Sequence, residues 1–216
     1  MRSQSSGNGV PEPQSPTVFV VDDDAAVRDY LRWLMDSVHL RAELYATAKE
    51  FLDTYDPDRS GCLLLDVRMP GLSGFDLQTE LKERRIRLPI IMMTAYAEVP
   101  MAVRALRGGA VDFIEKPLDG QVLLDRVQQA IATDVALRRA EQERVDVRQR
   151  MGTLTPRQRA VLDGLIAGKP SKVIAAELGV SASTVDVHRG RLMERLKARS
   201  LPDLFRLVLL TQEPEA

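Results

Sequence analysis

Apolar and polar positions follow two rhythms over the first two thirds of the chain. The short runs TVFVVD, RAELYA, GCLLLD, LPIIMMT and VDFIE read as strands. Between them, AAVRDYLRWLMDSV, AKEFLDTY, GFDLQTELKERR and VPMAVRALRGG repeat at helical spacing, and a long helix opens after Asp119. Strands alternating with helices predict an α/β domain with a five-stranded parallel sheet, doubly wound, whose crossovers are right-handed. Trp33 and Leu34 fall on the packing face of the first helix, and Met92 and Met93 in a central strand, so all four are assigned to the core.

The helix after Asp119 is long enough in pattern to run through Arg150. Ile131, Val135, Arg138, Gln142, Val145 and Gln149 alternate by four and three, but half of them are polar, which predicts a solvated linker helix and not a coiled coil. Gly152 then punctuates the chain, and Thr155 before Pro156 has the form of an N-cap followed by proline at the first helical position. No strand pattern follows. PRQRAVLDGLIAG, SKVIAAELG, SASTVDVHRGRLMERLKA and SLPDLFRLVLLT read as four helices, with Ser171, Ser181 and Ser200 as caps, making a small all-α domain. The resulting map is a disordered tail at 1–16, an α/β domain at 17–133, a linker at 134–151, a helical domain at 152–211 and a short tail at 212–216.

Composition adds a division of charge. The 216 residues are 44% hydrophobic, enough for two packed cores, and carry a formal net charge of -1. Residues 17–133 hold 14 Lys/Arg against 19 Asp/Glu, whereas residues 152–211 hold 10 against 5. A basic second half points to nucleic acid, the alternative being ordinary solvated surface. The single Cys62 lies in a strand-like run as a small hydrophobe and suits a reducing cytoplasm. The polar opening segment lacks the apolar core of a signal, and no stretch has the length of a membrane span.

The chemistry gathers where strands end, since open parallel sheets bind ligands beyond their carboxyl edges. TVFVVDDD delivers Asp22 and Asp23, LLLD delivers Asp66, IIMMT delivers Thr94, and DFIEK delivers Lys116. Each alone reads as a turn starter or a cap. Together, three carboxyl groups at close range cannot all ionise without a cation, and an oxygen-only donor set points to Mg²⁺. Thr94 and Lys116 supply groups able to hold phosphoryl oxygens, so the set suits phosphoryl transfer. A hydrolase of the haloacid dehalogenase class shares the order of acidic pair, Thr and Lys. It requires a later acidic pair on a further strand, where this chain has a polar helix, and it would leave Asp66 unemployed.

In the basic half, two helices joined across Gly179-Val180 follow helix-turn-helix grammar. Helical spacing turns Ile174, Leu178, Val185, Leu192 and Leu196 inward and leaves Ser183, Asp186, Val187, Gly190 and Arg191 on the outer face, the candidate DNA reader. The other reading is a four-helix module that binds protein. His188 has no His or Cys near it in sequence to share a metal, and His39 carries no signal.

VVDD, LLLDVRMPGLSG, MMTAYA and DFIEKP, in this order and spacing, resemble the receiver domain of two-component response regulators over residues 17–133. LTPRQRAVL, AGKPSKVIAAELGVS, STVDVH and SLPDLFRLV resemble the LuxR-type DNA-binding domain of the NarL/FixJ regulators over 153–209. The resemblance implies Asp66 as phosphoacceptor and Asp23 as direct Mg²⁺ ligand. It gives Asp22 a role through water and the Arg68 backbone carbonyl a further ligand position. Thr94 and Lys116 then grip the phosphoryl group. It also places a switch aromatic at Phe113, for which core packing is the alternative, and a cis bond before Pro117. DNA contacts are implied at Lys172, Ser183, Thr184, Asp186, Val187, Arg189, Gly190 and Arg191. Asp186 and Gly190 depart from the family, which usually has a basic residue at the first and often a contacting side chain at the second; Pro170 and Ser171 depart slightly.

The implied function is a cytoplasmic transcription regulator, not an enzyme, phosphorylated by a sensor histidine kinase. It would bind double-stranded promoter DNA as a homodimer, with RNA polymerase as a further partner open to it and no membrane partner. A phosphate sink or signalling adaptor is the rival. Met101, Val103, Arg104, Arg107 and Asp112 form the candidate dimer patch, against a plain solvated helix.

Overall fold

The computed structural model describes residues 15–212. They form two compact units that divide between Arg138 and Arg139. The tails expected at 1–16 and 212–216 lie almost wholly outside the described residues.

In the first unit, β1 (Thr17–Val21), β2 (Arg41–Tyr45), β3 (Gly61–Asp66), β4 (Ile90–Thr94) and β5 (Asp112–Glu115) make one parallel sheet in the order β2-β1-β3-β4-β5. The crossovers are α1 (Ala25–Asp36), α2 (Ala48–Thr54), α3 (Gly74–Glu83) and α4 (Val99–Gly108), and α5 (Gly120–Gly152) follows β5. Successive side chains of a strand point to opposite faces, so the continuous apolar runs feed two cores. Phe19, Leu63, Leu65 and Met92 pack with Phe51 of α2 and with Phe75, Leu77 and Leu81 of α3. Val18, Val20, Leu64, Ile91 and Met93 pack with Leu31, Leu34 and Met35 of α1 and with Leu123, Leu124 and Val127 of α5. Cys62 is buried in this second layer, and burial pushes its thiol up to about 12, which makes it an inert hydrophobe.

Trp33 is not a core residue: it is 66% exposed. Leu31, Leu34 and Met35 fill the inward stripe of α1, and Trp33 falls outside it, where its ring lies 6.3 Å from that of Tyr30.

The second unit contains α6 (Pro156–Ile166), α7 (Ser171–Leu178), α8 (Ala182–Leu196) and α9 (Leu201–Gln212). Its core joins Val161, Leu162 and Leu165 to Ile174, Val185, Leu192, Leu196, Leu204 and Val208, with Leu178 packed at the edge. Thr155 caps α6 in a reciprocal box with Gln158, ahead of Pro156. Ser181 caps α8 by accepting from Thr184 N–H, and Ser200 accepts from Asp203 N–H at the start of α9. Ser171 is not a cap; Pro170 holds that position without a side-chain bond, and Ser171 is already helical.

The linker is also less solvated than its pattern suggests. Beyond Arg138, Val147 of α5 is 1% exposed and Met151 packs on the second core, while Glu143 pairs with Arg206 of α9 at 2.9 Å. The apolar positions Val147 and Met151 lie off the four-and-three series, whose Gln142 and Gln149 are exposed. No helix among the described residues is long and apolar enough to cross a membrane.

Candidate functional sites: a carboxylate pocket and a helical reading face

The sheet register determines which side chains meet at its carboxyl edge. Asp66 of β3 lies opposite Met93, and Val67 N–H continues the ladder to Met93 O at 2.9 Å. Lys116 N–H donates to Thr94 O at 2.7 Å, which ties the end of β5 to the end of β4. The Lys116–Pro117 peptide is cis. Gly74 opens α3 where a Cβ would run into the carbonyl of Asp66, so the helix starts hard against the end of β3.

Asp22 is fully buried and Asp66 nearly so. The Nζ of Lys116 donates to Asp22 Oδ2 and to Asp66 Oδ1, each at 2.6 Å. The remaining oxygens accept backbone N–H groups, Asp22 Oδ1 from Asp24 at 3.0 Å and Asp66 Oδ2 from Arg68 at 2.6 Å. Arg28 donates to the carbonyl of Asp22 at 2.7 Å, which steadies the turn into α1. Burial raises the pKa of Asp22 above the ordinary carboxylate value, and the hydrogen bond and charge of Lys116 only partly offset it. Burial works against the ammonium of Lys116 too, but bonding to both carboxylates outweighs it and holds the lysine above its usual value.

Two carboxylates and one ammonium thus form the buried kernel. Asp23 stands apart from it, exposed at the mouth of a cavity of about 680 Å³ whose walls include Val67, Arg68, Met69 and Phe75. Among the described residues no three acidic, histidine or cysteine side chains gather closely enough to hold a metal by themselves. Three carboxyl groups alone would demand a metal as their cation; Lys116 already supplies a positive charge between two of them. Thr94 is buried, and its hydroxyl donates to Tyr96 O and accepts from Tyr96 N–H, both at 3.3 Å. Phe113 is partly buried against the core that contains Met92.

On the surface after β4, Val103, Arg104 and Arg107 of α4 are exposed, but Met101 packs on the core. Arg104 lies 4.1 Å above the Phe75 ring, and Asp112 pairs with Arg126 at 3.0 Å. The sequence reading missed Val99, Leu106 and Val111, each more than half exposed on or beside α4. It also missed the guanidinium of Arg68, 5.3 Å above the exposed Tyr96 ring.

In the second unit, α7 turns through Gly179 in the left-handed region and passes into α8. Val185, Leu192 and Leu196 point into the core; Ser183, Asp186, Val187, Gly190 and Arg191 form the outer face, with Lys172 exposed near the start of α7. Thr184, His188 and Arg189 are half-buried at its margins. Asp186 accepts a hydrogen bond from Ser171 Oγ at 3.2 Å, a link across the two helices that local spacing could not reveal.

The geometry agrees with what the chain is similar to. Residues 18–128 match the response regulator receiver domain, and residues 152–208 match the luxR family of bacterial regulatory proteins. The chain belongs to the FixJ-like response regulators. Nodulation protein W of Bradyrhizobium diazoefficiens is 45% identical over 88% of this chain and 84% of that protein. The transcriptional regulatory protein TdiR of Thauera aromatica is 41% identical over 97% of this chain and 89% of its own. Among solved structures, the response regulator StyR superposes with a TM-score of 0.82 at 42% identity, covering 90% of this chain and 98% of that one. As a member of this family the chain is a phosphorylation-dependent regulator of transcription, built from a receiver and a LuxR-type helix-turn-helix module.

Proposed function

We propose that Asp66 is the phosphoacceptor of this response regulator, and that its modification by a sensor histidine kinase promotes dimerisation and binding to promoter DNA. The observation that carries the reading is the shared grip of one ammonium on Asp22 and Asp66 at the carboxyl edge of the sheet. A weak carboxylate nucleophile gains by being fixed in place, and Asp66 is held by Lys116 on one oxygen and by the Arg68 N–H on the other. An Asp66 oxygen attacks phosphorus, the bond from phosphorus to the donor's nitrogen breaks, and a mixed carboxylic-phosphoric anhydride forms.

Asp23, Asp66 and the carbonyl of Arg68 offer the all-oxygen donor set that suits Mg²⁺, with Asp22 behind them. When bound, Mg²⁺ supplies charge neutralisation to the transferring phosphoryl group. Lys116 then exchanges a carboxylate oxygen for a phosphoryl oxygen, and the Thr94 hydroxyl leaves the backbone of Tyr96 for another. The motion of Thr94 reaches Phe113 and α4, where Val103, Arg104 and Arg107, with the exposed Val99, Leu106 and Val111, form the candidate two-fold surface. Lys172 and the outer face of α8 are the DNA contacts, in a cytoplasmic protein.

Labelling by acetyl phosphate tests the acceptor. The native chain is expected to take up phosphate only with Mg²⁺ present, and Asp66→Asn to take up none; labelling of Asp66→Asn would remove the assignment. Sedimentation of the labelled native chain at micromolar concentration checks the dimer, which Arg104→Glu is expected to weaken while leaving labelling intact.

A further inference from the structure

Gly190 lies inside α8, on its outer face, and a Cβ built there meets no atom within 4 Å. Gly152, Gly168 and Gly179 of the same unit are equally open, but Gly152 ends α5 and the other two lie at positive φ; of these four, Gly190 alone sits within a helix. Gly164 in α6 is required because a Cβ would sit 2.7 Å from Ile174, and Gly179 closes α7 at a φ of 65°, where side chains are disfavoured. Gly190 has neither reason. A glycine within a helix is less stable than alanine at the same place, so the second unit carries a cost that its own packing does not explain.

The surroundings indicate what does explain it. Val187, one turn earlier on the same face, is 52% exposed, and Asp186 is engaged by Ser171. Val187 and Gly190 together present a shallow strip that can neither donate nor accept a side-chain hydrogen bond. A polar base edge pressed against it would lose its water without gaining a partner. The apolar substituent on the major-groove edges of DNA is the 5-methyl group of thymine.

We propose that Gly190 is a specificity-determining position: its missing side chain lets the backbone of α8 approach the base edges, and the gap beside Val187 receives a thymine methyl group. The inference rests on the reading of α8 as the element that enters the major groove.

The test uses the full chain treated with acetyl phosphate and Mg²⁺, a duplex selected from random sequences, and versions of it with each thymine replaced in turn by uracil. At one position in each half-site, loss of the methyl is expected to lower affinity about fivefold. Gly190→Ala is expected to raise the melting temperature of the second unit by about 3 °C yet bind the selected duplex about tenfold more weakly, without discriminating uracil. Native affinity in Gly190→Ala, an equal loss on all sequences, or silence at every uracil would overturn the proposal. A native chain that selects no sequence would overturn the reading of α8 as well, and so separates the two failures.

Discussion

The carboxylate pocket keeps its charges inside, where Asp22 and Asp66 share the ammonium of Lys116, whereas α8 leaves Asp186, Val187 and Arg191 in solvent. Each arrangement suits the size of what it meets. A small phosphoryl group arriving in a buried site needs positive charge already in place, because reorganising dipoles at the moment of reaction is costly. A long polyanion is met by surface cations such as the exposed Lys172 and Arg191, since internal ion pairs would first have to break. The lysine is therefore written into the fold by contacts 94 and 50 residues apart in sequence, while the candidate reading face follows from spacing along one helix.

Lys116→Met attacks the buried side of this contrast and has the largest expected effect. It leaves the Asp22 carboxylate buried beside Asp66 without a cation, costing about 3 kcal/mol at pH 7 and abolishing the response to phosphorylation. The sign with pH follows from Asp22. Its pKa is raised in the folded state above 3.8, so the native form binds more protons than the unfolded one just above that value, and stability falls as pH rises through the window. Removing Lys116 widens the window upward. Urea unfolding at pH 7 and pH 5 should show a smaller deficit at pH 5; equal deficits would mean that Lys116 does not neutralise the pair.

Glu43 sharpens the contrast by supplying an ion pair with no part in the chemistry. The hydrogen bond from Arg59 holds its carboxyl down at about 2, against the opposing effect of burial. The stability this confers is present above pH 4.5 and is lost as pH falls toward 2. Glu43→Gln is expected to cost about 2 kcal/mol at neutral pH, to flatten that acid limb, and to leave labelling of Asp66 unchanged. Denaturant titrations across the acid range, with a labelling assay at pH 7, check all three.

Asp186 gives the smallest effect, on the exposed side. With its carboxylate bonded to Ser171, Asp186→Ala is expected to shift affinity about threefold and evenly across sequences, leaving the preferred motif intact. Asp186→Lys should steepen the salt dependence by about one unit of slope. Selection from random duplexes measures the motif, and a lost preference for cytosine at one position would instead assign Asp186 to direct base reading.

Much of this was legible in the chain because strand and helix periods are local. The runs ending at Asp22, Asp66, Thr94 and Glu115 carried the sheet, and the motifs at their ends carried the family. What escaped was decided by partners distant in sequence. Trp33 fits an apolar position in any window, and only the width of the stripe formed by Leu31, Leu34 and Met35 excludes it. Ser171 looked like a cap because Ser is a good one, but its hydroxyl bonds to Asp186. Val147 sits in a polar stretch and is nevertheless buried, four residues after Glu143, which pairs with Arg206 of α9. Lys116 was assigned to the phosphoryl group alone; that it also serves the resting carboxylates required the sheet order to be known.

The central claim is that chemistry at Asp66 governs binding at α8, and one titration tests it directly. Fluorescence anisotropy of a selected duplex is followed with the native chain and with Asp66→Asn, each with and without acetyl phosphate and Mg²⁺. The account predicts that treatment tightens native binding about tenfold or more, as expected for coupled sites, and leaves Asp66→Asn unmoved. Equal tightening in Asp66→Asn, or no change in a native chain shown to be labelled, would contradict it.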